Sequence, residues 1–289
     1  MDHALLEPST IGDRVAEIGD RMIIVGGAPR SGTTITQAVL DSHPKIFGGP
    51  EFDRLPEIAR TRSQLLESLA AGRIVEFCDR GSINASFGRL IESLLYPAMH
   101  RHGASYISEK TPWNVLEFEA LLEMLPGAKF IEVMRDPRAV VNSMLSVAAR
   151  YRQRGLEPPD FIADLNAIIQ TLIKSINAGY SAYQKHPHRV FRLKYEDLVL
   201  SPEATTRKLF DYLGIEWDSR VLFPGRTAHA AMDHLRVADG GLWDSAGGIF
   251  DLFNTSLNSW EDTLGEHPKA LVTEVFKVSR SYLDLDYRF

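Results

Sequence analysis

Apolar residues along this chain come in short unbroken runs set between longer stretches with helical spacing. Residues 22–26 (MIIVG), 106–108 (YIS), 129–134 (KFIEVM) and 190–193 (VFRL) have the length and continuity of strands buried on both faces. Thr33 opens a helical pattern with Ile35, Val39 and Leu40 on one side, and residues 86–101 carry Phe87, Leu90, Leu94 and Leu95 on another. Residues 55–78 are helical in composition with weak periodicity. The Thr111-Pro112 step starts a helix through Leu116, Leu121, Leu122 and Leu125, and Pro137 starts one through Val140, Val141, Met144 and Leu145. A long helix is expected over 161–185, another from Ser201-Pro202 to Leu213, and a last one near 268–282. The glycines and prolines of 43–52 read as loop. Strands alternating with helices define an α/β fold, a parallel sheet flanked by helices. The pattern gives one domain with helical additions over 22–289, behind a polar, peripheral segment 1–21.

The first run leads into the most informative stretch, Gly27-Ala28-Pro29-Arg30-Ser31-Gly32-Thr33-Thr34. Strand, glycine-bounded loop and helix is the context of a phosphate-binding loop: the backbone turns its N–H groups inward and the helix N-terminus adds partial positive charge. Gly27 and Gly32 keep the spacing of G-x-x-x-x-G-K-[ST], but Thr33 stands where the lysine belongs, and Arg30 supplies a cation from inside the loop. The lysine that positions a β/γ-phosphate with its metal is missing. The loop therefore suits a nucleotide with a short phosphate group and no Mg²⁺.

Other polar residues fall at strand ends: Glu109 and Lys110, Arg135 with Ser143 on the following helix, and Tyr195. Open parallel sheets bind ligands beyond the carboxyl ends of their strands, so these positions converge on one crevice.

A net charge of −6 argues against a nucleic-acid partner. Cys78 is the only cysteine, so no intrachain disulfide forms, and a reducing, cytoplasmic setting is expected. No apolar run approaches the ~20 residues needed to cross a bilayer, and the first residues lack a signal-peptide layout, so no membrane partner is expected. No Cys/His cluster has metal-ligand spacing, and no metal is expected.

PRSGTT after an apolar strand resembles the 5′-phosphosulfate loop of sulfotransferases that use 3′-phosphoadenosine 5′-phosphosulfate (PAPS), and GGAPRSGTT…LDSHP is most similar to the tyrosylprotein sulfotransferase branch. The resemblance implies a P-loop-type sulfotransferase domain with PAPS as donor and adenosine 3′,5′-bisphosphate (PAP) as product. Its acceptor would be a hydroxyl on a peptide tyrosine, a sugar or a small molecule. It implies that Arg30, Ser31, Gly32, Thr33 and Thr34 hold the 5′ end, and that Arg135 and Ser143 of VMRDPRAVVNS grip the 3′-phosphate. Tyr195 in RLKYEDL matches a position near the nucleotide, with a half-buried core tyrosine as the competing reading, and Arg138 caps or pairs locally. Asn254, in LFNTSLNSW, falls in a string resembling the late nucleotide-contacting loop.

For catalysis, HPKIFGGPE aligns Glu51 with the branch's general base, although Pro50 and Asp53 stand where the branch has glutamate and arginine. His43 is the alternative base; its place in LDSHP also fits helix termination. Lys110 matches the lysine that contacts the transferring group, or pairs with Glu109, and Ser245 in WDSAGG lies near a transition-state serine. Animal members of the branch are membrane-anchored and disulfide-bonded, features this sequence does not show. A homodimer stays open. So do two other functional classes: a P-loop kinase of small molecules, against which Thr33 counts, and a non-catalytic nucleotide-binding module, against which Glu51 and Lys110 count.

Overall fold

The computed structural model describes residues 17–226, 242–243 and 257–289. Five parallel strands form one sheet in the order β2-β3-β1-β4-β5: β1 Met22–Gly27, β2 Ile46–Gly48, β3 Tyr106–Lys110, β4 Lys129–Met134 and β5 Val190–Lys194. Side chains alternate across the sheet as strand geometry requires. Met22, Ile24 and Phe130 face a core with Phe118, Leu121 and Met99, while Ile23, Val25, Ile131 and Val133 face one with Leu40, Leu198 and Phe210. β2 corrects the loop expected over 43–52. The amides of Ser105 and Tyr106 both donate to Lys45 O at 2.9 Å, and Ile46 is buried, so pairing with β3 extends a strand into glycine-rich sequence.

The helices run α1 Thr33–Asp41, α2 Leu55–Ala70, α3 Arg80–Arg101, α4 Phe118–Met124, α5 Pro137–Gln153, α6 Leu165–Lys185, α7 Tyr195–Leu200 and α8 Pro202–Leu213. Short helices Ser259–Thr263, Glu266–Phe276 and Arg280–Leu283 follow. α3 starts earlier than its apolar spacing suggested, because Asp79 and Ser82 form a capping box. Its inward positions are Ile83, Ile91, Leu95 and Met99, while Leu90 and Leu94 are exposed. The single helix expected after Thr111 is a 3₁₀ segment, Pro112–Glu117, joined to α4. A third core joins α5 and α6 to the C-terminal helices through Met144, Leu172, Phe276 and Tyr282. The described end of the N-terminal segment is stitched to the domain: Gly127 N–H donates to Ile18 O at 2.9 Å, and Gly19 N–H to Glu92 Oε1 at 2.7 Å.

β1 sits at the centre, with Val25 level with Lys110 of β3 and Gly27 level with Val133 of β4. The ends of β3, β1, β4 and β5 therefore open at one edge of the sheet.

Candidate active site

The loop after β1 takes two left-handed residues, Arg30 at φ 71° and Gly32 at φ 105°. Only glycine fits the second, since a Cβ there would lie 2.3 Å from Tyr195 Cδ2. Ser31 N–H donates to Ala28 O at 3.0 Å, and the Thr36 amide and hydroxyl both reach Gly32 O. No side chain caps α1, so the N–H groups of its first turn, where Thr33 and Thr34 lie, are donors without intrahelical acceptors. That is the equipment of an anion site.

The two arginines singled out from sequence adjoin. Arg30 Nε donates to Ser143 Oγ at 2.9 Å and Arg30 Nη1 to Trp243 O at 2.5 Å. The Arg135 guanidinium lies 4.4 Å from the centre of the Tyr195 ring and reaches Arg30 O through Nη1 at 3.4 Å. Tyr282 OH donates to Arg135 O at 3.2 Å. Arg30, Gly32, Arg135, Ser143 and Tyr195 thus form one cluster, assembled from β1, β4, α5 and the end of β5. Ser31 is only 2 % exposed, and its hydroxyl is buried with no protein partner.

At the end of β3, Lys110 Nζ forms an ion pair with Glu51 Oε1; the lysine side chain is 2 % exposed and the glutamate 30 %. The pairing of Lys110 with Glu109 does not occur, because neighbouring strand residues point to opposite faces. Glu109 instead holds the loop that carries Glu51. It accepts Phe52 N–H at 3.1 Å, the Thr111 hydroxyl at 2.6 Å and Asn114 Nδ2 at 2.5 Å. Burial pushes its carboxyl up, against the pull of those donors. Asp53, left-handed at φ 63°, donates its N–H to Thr111 Oγ1 at 3.2 Å. Sequence reasoning gave Glu109 no role of its own; a carboxylate flanked by Lys110, Thr111 and Asn114 at a strand end was the available signal.

His43 lies beyond the other end of α1. Lys45 N–H donates to its Nδ1 at 3.2 Å, so the ring proton sits on Nε2 and is given to Glu216 O at 2.9 Å. The ring stacks on Phe210 at 5.0 Å, and burial lowers its pKa. Its contacts are with Lys45, Glu216 and Phe210 past the end of the helix, as the helix-termination reading expects. Arg138 pairs with Asp136 through two hydrogen bonds, at 3.0 and 2.6 Å, and lies over the Trp260 ring. Ser245 and Asn254 lie outside the described residues.

The parallel sheet, the anion loop at the end of its central strand and the paired arginines define a P-loop-type transferase fold. Residues 22–219 match the sulfotransferase family, and the chain belongs to it. It is 34% identical over 205 residues to Protein-tyrosine sulfotransferase A of Caenorhabditis elegans, covering 69% of this chain and 51% of that one. The chain spans about half the length of the first curated relatives it matches. Among solved structures, the sulfotransferase domain from the curacin biosynthetic pathway superimposes with a TM-score of 0.62 at 21% identity, covering 95% of this chain and 100% of that one. Mouse sulfotransferase SULT7A1 complexed with PAP gives 0.51 at 14% identity, covering 92% and 88%. These two likenesses show a shared fold.

The relatives also correct the expected compartment. Protein-tyrosine sulfotransferases are Golgi membrane enzymes, so a single cysteine does not place this chain in the cytoplasm. Among the described residues no helix is long and apolar enough to cross a membrane.

Proposed function

We propose that this chain transfers the sulfuryl group of PAPS to an acceptor hydroxyl, with Glu51 as general base. The observation that carries the reading is the Glu51–Lys110 pair, held by Glu109 beside the end of the central strand that bears the anion loop. Family membership supports sulfuryl transfer, and the mouse neighbour complexed with PAP supports the same nucleotide here.

The residues divide the work as follows. The loop from Arg30 to Thr34 takes the 5′ end of the donor with backbone donors and a guanidinium, while Arg135 and Ser143 take the 3′-phosphate. Tyr195 supports the Arg135 guanidinium from below. Thr33, in the place of the P-loop lysine, leaves no group to position a β/γ-phosphate with Mg²⁺. Glu51 accepts the acceptor's proton as its oxygen bonds to sulfur. The bond from sulfur to the bridging phosphate oxygen breaks in line, and the charge left on that oxygen is met by Lys110. The named relative acts on protein tyrosine, which favours a phenolic hydroxyl as acceptor.

Thermal unfolding tests the donor. PAP without added metal should raise Tm in a concentration-dependent way; stabilisation by Mg·ATP and none by PAP would remove the reading. Assays with labelled PAPS against peptide tyrosines, sugars and small phenols then identify the acceptor.

A further inference from the structure

Behind the phosphate loop, between β4, α5 and α6, lies a cavity of about 10 Å³, room for one water molecule. Ser31 of the loop, Glu132 of β4, Arg135 at the strand's end and Ser175 of α6 all line it. Each contributes a buried polar atom without a protein partner: Ser31 Oγ, Glu132 Oε1, Arg135 Nε and Ser175 Oγ. Glu132 and Ser175 are each 1% exposed.

The surroundings are built to hold a carboxylate there. Glu132 Oε2 accepts Arg192 Nε at 2.8 Å, and Arg192 Nη2 is anchored on Ser281 O and Oγ, both at 2.6 Å. The charge of Glu132 is thus paired through one oxygen, while the other turns toward α6. Gly179 makes the space, since a Cβ there would lie 2.2 Å from Glu132 Oε1. Ser175 stands one helical turn earlier on the same face. Left dry, each of the four atoms would cost about 1–3 kcal/mol in lost hydrogen bonding. Their chemistry is complementary to a single water. Arg135 Nε can only donate, Glu132 Oε1 accepts, and each serine hydroxyl can do either.

We propose that one buried water in this cavity joins Glu132 and Ser175 to Arg135 and Ser31. Glu132 and Ser175 are then positioning residues: they fix the Arg135 guanidinium from behind, so that its Nη groups face the nucleotide. The inference rests on the assignment of Arg135 to the 3′-phosphate.

A high-resolution crystal structure of the nucleotide-free protein tests the water directly. Density within about 2.6–3.2 Å of at least three of the four atoms is expected; a dry cavity, or Ser175 Oγ bonded directly to Glu132, overturns the proposal. The positioning role is tested with Ser175→Val, which fills the space, and Ser175→Ala, which removes one partner. Both should raise the Kd of PAP and the KM of PAPS, the valine variant by about fivefold, the value of one hydrogen bond. The alanine variant should do less, kcat should hold in both, and affinity for adenosine 5′-phosphate, affected only through Ser31, should fall by less than affinity for PAP. Equal weakening of both nucleotides, or a fall in kcat with Kd and KM intact, overturns the role. If the wild-type protein does not prefer PAP to adenosine 5′-phosphate, the assignment of Arg135 fails and the positioning role with it, whatever the density shows.

Discussion

Lys110 pairs with Glu51 across the end of the sheet, not with Glu109, its neighbour in the chain. A buried ammonium is thereby held against the partly open carboxylate proposed as base. Replacing Glu51 with Gln should lower kcat by about 10²–10⁴-fold, the range of a lost general base. The Tm increment produced by PAP should persist. A variant that keeps its turnover rate would place the base elsewhere.

Glu109 ties the Glu51 loop down through three hydrogen bonds. Glu109→Ala strands those buried donors and should cost about 1–3 kcal/mol of stability, read from denaturant midpoints. Because the loop loses its anchor, kcat should fall by about tenfold or more, while the Kd of PAP stays as in the wild type. A variant with unchanged kcat would show that the loop keeps its place without the carboxylate.

His43 is held neutral. Its pKa is lowered by burial, so the unfolded chain binds its proton more readily than the folded one. The contribution to stability is then full above its ordinary value of 6.5 and is lost as pH falls below that value toward the folded pKa. His43→Asn should lower Tm at neutral pH and flatten this acid-side loss, measured as Tm between about pH 5 and 8. Its kcat, assayed where the protein is folded, should match the wild type; a collapse of turnover there would restore His43 as a candidate base.

Gly32→Ala should be severe. The added methyl meets the Tyr195 ring at a backbone angle that side chains rarely adopt. A destabilisation of about 1–3 kcal/mol is expected, together with loss of the PAP-induced Tm rise. Retention of full PAP affinity would mean that the loop does not receive the phosphate.

The pattern of apolar runs made four of the five strands legible, loop spacing marked Arg30 and Gly32, and a strand-end position marked Arg135, because continuous burial and fixed spacing leave marks along one dimension. β2 left none: a strand of three residues that ends on a glycine draws its pairing from β3, distant in sequence. The role of Glu109 was hidden for a similar reason, since its partners Phe52 and Asn114 meet it only once the loop after β2 crosses the end of β3. Glu132 sits inside the run KFIEVM and was read there as part of a strand. The cavity that uses it is completed by Ser31 and Ser175, and no local pattern joins those three positions.

The Tyr195 ring closes against Gly32, so the wall of the phosphate loop is finished by residues that leave the ribosome long after the loop itself. A nascent chain halted before β5 would carry the whole fingerprint from Gly27 to Thr34 without the aromatic lid behind it. On the proposed assignment of this loop, nucleotide capture during synthesis would wait for the last strand.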